Sequence, residues 1–124
     1  MDKEGYREEQ GLMSIIKDIS KIEGISTAHG IGIKQVLLSC GHTESSVTQI
    51  AVTKLKKGEE VECHVHKTMD EHYIILSGEG VMDIDGESFV CKDDMYVLIS
   101  KGSLHSLRAT TDMKFITIGI AYDK

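Results

Sequence analysis

From Ile31 onward the chain is cut into short apolar runs by glycine and aspartate, and no proline occurs anywhere. Short runs at close spacing, bounded by turn residues, are the pattern of an all-β sandwich or barrel. Strands are expected near 31–39, 46–55, 60–66, 71–77, 80–85, 87–91, 95–99, 104–109 and 113–121. The sharpest local signal is Asp85-Gly86 inside VMDIDGESFVC. That dipeptide accepts the positive φ angles of a tight type I′ hairpin turn. Lys57-Gly58 and Ser77-Gly78 mark two further reversals.

The first 30 residues read differently, so the expected organisation is an N-terminal extension or capping segment over 1–30 and a β-barrel domain over 31–124. Leu12, Ile15, Ile16 and Ile19 recur at the spacing of one face of a helix, which predicts a short amphipathic helix. The alternative is an edge strand over 14–16 followed by a single helical turn over 18–23. Met13 opens the candidate core, which makes the first dozen residues a candidate disordered extension.

With 124 residues, 27% of them charged and 40% apolar, the chain has the make-up of one soluble globular domain. Its formal net charge of −6 and the lack of a basic cluster argue against a nucleic-acid partner. About 30 residues precede the barrel without a helix-turn-helix pattern, so no built-in DNA reader is expected. The opening MDKEGYREEQ lacks the apolar core of a secretory signal, and the apolar stretch 115–122 is too short to span a bilayer. Three cysteines, Cys40, Cys63 and Cys91, form no disulfide framework and read as reduced thiols, which points to the cytoplasm.

The chemistry concentrates in GEEVECHVHKTMDEHYIILSG, residues 58–78. His64 and His66 stand two apart on an expected strand, so both imidazoles leave from one face. Four residues later Glu71 opens the next strand, with Tyr73 and Ile75 on its face. Two imidazoles and a carboxylate converging from neighbouring strands are donors for iron, manganese, nickel, cobalt or zinc. Strict alternation sends Val61, Cys63 and Val65 to the other side, where Cys63 serves as a small buried hydrophobe. His72 is excluded as a ligand because it points opposite to Glu71. His29 and His42 are read as solvent-facing, and a zinc site at Cys40 and His42 lacks two ligands.

Gly58, five residues, His64-x-His66, four residues, Glu71, six residues and Gly78 resemble the first motif of the cupin superfamily at every signature position. The segment DDMYVLISKGSLHSLRA resembles the second motif in part, with Gly102 and His105 at the expected separation. It departs at Asp94, Ser100 and Ala109, where glycine, proline and asparagine are usual. The resemblance covers roughly 31–121 and implies a jelly-roll barrel. It implies His105 as the fourth ligand, beside His64, His66 and Glu71, of one divalent transition-metal ion per chain.

Three imidazoles and one carboxylate leave about +1 on a divalent ion. Six-coordination leaves two open positions, whereas tetrahedral zinc would be closed. The resemblance implies a metal-dependent enzyme on a small polar or sugar-like substrate, of isomerase or dioxygenase type, or else a non-catalytic binding or sensing module. Whether the chain is an enzyme at all stays open. By strand parity Glu62 joins His64 and His66, and Tyr73 joins Glu71, as candidate catalytic acid/base groups. Tyr73, Ile75, Ser103 and Leu107 are expected to face inward near an ion that small ligands reach. Only two arginines occur, Arg7 and Arg108, which argues against phosphorylated substrates. In MKFITIGIAY both faces are apolar, so a homodimer is expected to cover the outer one.

Overall fold

The computed structural model describes residues 6–9 and 12–122. Strands β1 (Tyr6–Glu9) and β2 (Leu12–Ile15) form a separate two-stranded sheet. A 3-10 turn at Ile19–Lys21 follows, capped by the Asp18 carboxylate, which accepts from the Ser20 N–H at 3.0 Å. The expected helix through Leu12, Ile15, Ile16 and Ile19 is therefore absent, and the strand-and-turn alternative is what forms. Three of those four residues are isoleucines, whose β-branched side chains favour strand over helix. Ile16 and Ile19 are exposed, so their helical spacing has no core to face.

The remaining strands are β3 (Ile25–Ser26), β4 (Ile33–Ser39), β5 (Val47–Leu55), β6 (Glu60–Val65), β7 (Met69–Ser77) and β8 (Glu79–Ile84). They continue with β9 (Glu87–Lys92), β10 (Tyr96–Ile99), β11 (Leu104–Ala109) and β12 (Met113–Ala121). Ten strands make two antiparallel sheets, ordered β10-β7-β12-β5-β4-β3 and β6-β11-β8-β9. The inner faces of these two sheets meet over one core, a jelly roll. Asp85 and Gly86 take φ angles of 49° and 87° between β8 and β9, as the hairpin signal requires. Among the described residues, no helix is long and apolar enough to cross a membrane.

Register shifts interrupt the six-stranded sheet at Val36/Leu38, Lys114/Phe115 and Gly119/Ile120, but its central rows run straight. Val97, Tyr73, Thr117, Ala51 and Val36 lie in one row across it, and Tyr96, Ile74, Ile116, Val52 and Gln35 in the next. The first row faces inward, where Tyr73, Ile75 and Phe115 join Leu55, Met82 and Leu107 in the core. The second row faces outward and is apolar almost throughout.

The four-stranded sheet breaks its alternation at one place that matters. On β6, Val61 pairs with Leu107 and His64 pairs with His105, so three steps of β6 oppose two of β11. This β-bulge at Glu62 and Cys63 turns Val61 and His64 to the same side. Val61 is consequently buried in the core rather than facing away, and Cys63 is exposed rather than buried.

Candidate metal centre

His64 lies near the end of β6, His66 just beyond it, Glu71 on β7 and His105 on β11. The fold brings one donor atom from each of the four within 4.8 Å of all the others. Donors bound to a common ion stand roughly 3–4 Å apart, so small side-chain rotations close the set. The loops are tied down around it. The Gly102 N–H donates to the His66 carbonyl at 2.8 Å, and the Lys101 N–H donates to Asp70 Oδ1 at 2.8 Å.

Two of the rings are oriented by the same device. His64 Nδ1 lies 2.8 Å from the Glu62 carbonyl, and His105 Nδ1 lies 3.1 Å from the Ser103 carbonyl. A carbonyl only accepts, so Nδ1 is the protonated nitrogen in each ring and the Nε2 lone pair points inward. His105 Nε2 is buried and has no hydrogen-bond partner. It stands 3.4 Å from Glu71 Oε1, which is also 3.5 Å from His66 Nε2. A buried lone pair left unsatisfied is costly, and an ion at the centre of the four donors would satisfy it. The residues present therefore fit a divalent transition metal.

Electrostatics agree with that fit. Burial pushes the His64 pKa down, with the neighbouring His105, His29 and His66 adding to the shift against the pull of the Glu62 carbonyl. The hydrogen bond to Glu71 raises that of His66. Burial works against the Glu71 carboxylate, but the His105 and His66 rings outweigh it and hold the carboxyl far below its ordinary range. An ionised carboxylate among neutral imidazoles is the form a metal binds.

Three of the donors, His64, His66 and Glu71, line a cavity of about 170 Å³, with His105 buried behind them. Tyr73 lines it, and its hydroxyl donates to Glu71 Oε1 at 3.1 Å. Burial, followed by the Glu71 charge, raises the phenol's pKa well above ordinary tyrosine. Tyr73 thus orients the carboxylate and keeps its own proton. Glu62 stands elsewhere: the bulge leaves its side chain exposed, outside the set lining the cavity. Ile75 and Leu107, also expected near the site, are packed in the core. Ser103 contributes its carbonyl to His105.

Several cavity residues were not placed there from the sequence, among them His29, Lys34 and Gln49, although His29 is solvent-exposed as expected. His29 lies at the mouth with its ring 4.6 Å from that of His64, while Lys34 and Gln49 reach in from β4 and β5. None carries a local signal, because loop 27–30 meets β6 only through the fold. A larger depression of about 530 Å³, lined by Gly32, Lys54, Leu55, Glu59 and Met113 among others, lies toward the other ends of β5 and β12. It gathers no convergent metal donors, so the chemistry belongs to the smaller cavity.

A jelly roll that brings three histidines and a glutamate together defines a class of β-barrel with a candidate metal site. Within that class, residues 51–119 match the cupin domain family, and the chain belongs to it. A structure described as a predicted oxalate decarboxylase from Thermotoga maritima is 31% identical, with a TM-score of 0.76 over 84% of this chain and 96% of that one. The ectoine synthase of P. lautus is 21% identical, with a TM-score of 0.75 over 87% of this chain and 78% of its own. An RmlC-like cupin from Shewanella frigidimarina is 17% identical, with a TM-score of 0.72 over 96% of both chains. These last two share the fold. No curated protein is significantly similar to the chain.

Proposed function

We propose that this cupin is a metal-dependent enzyme acting on a small polar molecule. The supporting observation is the buried, unpartnered His105 Nε2, set among three further donors beside an open cavity. A sealed structural site would need no cavity. His64, His66, Glu71 and His105 would hold one iron, manganese, nickel, cobalt or zinc ion, which supplies Lewis-acid polarisation of a bound oxygen.

The chain's own residues do the rest. Tyr73 fixes the Glu71 carboxylate, and the Glu62 and Ser103 carbonyls fix two imidazoles. Phe115, Val61 and Met69 line the cavity with apolar surface that limits water around a short carbon skeleton. His29, exposed at the mouth, is placed to pass protons between the cavity and solvent. Tyr73 is engaged with Glu71 and Glu62 is turned outward, so an isomerase would have to draw its base from His29. A reaction that breaks a bond in a small acid, or oxidises it, asks less of these side chains. The likeness to a predicted oxalate decarboxylase supports the same direction.

Turnover should be assayed with protein loaded separately with each of the five metals, on small acids, diketones and sugars. The proposal expects turnover of a small acid with at least one metal and none after His64→Ala. Metal bound without turnover of any substrate would favour a binding or sensing module.

We also propose a homodimer, formed through the outer face of the six-stranded sheet. Ile74, Leu76, Tyr96 and Leu98 are exposed there beside half-buried Ile116 and Ile118. A two-fold contact places this uncharged patch against itself and needs no complementary charge. Sedimentation should give a dimer, and Leu98→Glu a monomer. A wild-type monomer at micromolar concentration would end this proposal.

A further inference from the structure

Lys34 is a half-buried strand residue that lines the same cavity as three of the four donors, His64, His66 and Glu71. Its Nζ donates to Gln49 Oε1 at 3.2 Å, a neutral acceptor. An ammonium carries three donors, and among the described residues no carboxylate pairs with this one. Half-buried cations ordinarily find an anionic partner, because burial without one is costly. Among the described residues the only carboxylate lining the cavity is Glu71, which accepts from Tyr73 and stands 3.5 Å from His66 Nε2. The Lys34 ammonium therefore faces the cavity with no carboxylate of its own among the described residues, although Glu71 lies on the same sheet.

We propose that Lys34, positioned by Gln49, is the specificity-determining residue of the site and receives the carboxylate of a small organic acid. This rests on the metal-enzyme reading above. With a divalent ion the four donors carry about +1, and Lys34 adds a second positive charge to the same space. A single lysine with a neutral amide partner suits a monoanionic carboxylate head, and no arginine is present to fork a phosphate. A volume of about 170 Å³ is room for roughly five or six waters, which limits the enclosed part of the ligand to a short acid. Val61, Met69 and Phe115 face its carbon skeleton, and Thr53 and Thr117 offer hydroxyls to a further oxygen.

The test compares glycolate, its neutral amide glycolamide and inorganic phosphate on cobalt-loaded protein, read from the visible spectrum of the cobalt. Wild type, Lys34→Met and Lys34→Gln are compared, with metal content and thermal unfolding measured first on each. All three proteins should hold one cobalt, since Lys34 is not a donor. Wild type should prefer glycolate over the amide, and both variants should lose roughly tenfold of that preference, the usual size of a lost charged hydrogen bond. Unchanged preference in either folded variant would overturn the assignment of Lys34. Phosphate binding tighter than glycolate would overturn the carboxylate class. Failure of wild type to hold cobalt would instead defeat the metal reading. The same ligand series, run by calorimetry on metal-free protein, would then decide the role of Lys34 by the same criterion.

Discussion

Strands β6 and β7 each deliver a ligand side chain to one centre, but they do so by opposite means. Across the site alternation on β7 is regular: Glu71, Tyr73 and Ile75 face inward while Ile74 faces out, and the register shift against β12 comes only at Leu76, beyond the site. Each inward residue is buried more deeply than the last as the strand runs from the mouth into the core. On β6 the Glu62–Cys63 bulge interrupts the ladder, so that core-filling Val61 and ligand-bearing His64 share a side. A regular strand would have forced a choice between packing and chemistry. One additional residue lets β6 supply both, and the residues it displaces outward are Glu62 and Cys63.

The comparison is broken most severely by deleting Cys63. Regular alternation would then expose either Val61 or the His64/His66 pair, because a one-residue slip reverses every side chain. The metal should be lost, or stability should fall by about 2 kcal/mol for the lost burial of Val61. Metal content and denaturant unfolding would show which. Cys63→Ser, which keeps the bulge, should leave both unchanged. A deletion variant with wild-type metal and stability would mean that the bulge has no function.

A smaller loss is expected on the regular strand. Tyr73→Phe removes the hydroxyl that Glu71 accepts and nothing else. Metal affinity should fall by about tenfold, the usual range for a ligand-orienting group. Competition with a chelator would measure it, and an unchanged affinity would show that β7 needs no such support.

The two histidines at the end of β6 also titrate in opposite senses. His64 on β6 has a lowered pKa, so its contribution to metal-free stability is present above neutral pH and lost as pH falls through the folded value. His66, paired with Glu71 of β7, has a raised pKa. Its contribution is fully present below the unfolded value and lost as pH rises through the folded one. Metal binding needs both imidazoles neutral, so the thermal stabilisation by added metal should be greatest above pH 7 and vanish near about pH 5. Melting curves with and without metal across that range would show it. A metal increment that grows on acidification would contradict the assigned ligands.

The smallest expected effect lies outside both strands. Asp94 holds φ at 66° between β9 and β10, a left-handed conformation that aspartate tolerates better than most residues and glycine best. Asp94→Gly should change stability by less than about 1 kcal/mol, and Asp94→Val should cost more, by about 1–2 kcal/mol. Equal effects in thermal unfolding would remove the backbone explanation.

Much of this is legible in the sequence alone. Nine strands from 31 to 121 follow from turn residues and apolar runs, and each lies within about two residues of its expected bounds. The spacing of His64, His66 and Glu71 was readable because the His-x-His pair is local, and Gly102 with His105 because the second motif survives in part. The inward side of Val61 was not readable, since a bulge is set by cross-strand packing and leaves no mark in composition. The absence of the N-terminal helix was hidden in the same way: isoleucines at 15, 16 and 19 mimic a helical stripe, and only the lack of a surface to bury them decides. Asp94 shows the converse, because a departure from the motif kept the backbone geometry that the motif's glycine supplies.

The central claim is that four side chains from three parts of the fold hold one metal ion. Its most direct measurement is the metal content of protein purified from its native host, determined by mass spectrometry of the elements beside a His105→Ala variant prepared identically. One transition-metal ion per chain in the wild type and none in the variant is the expected result. An empty wild type, or a variant that retains a full equivalent, would contradict it.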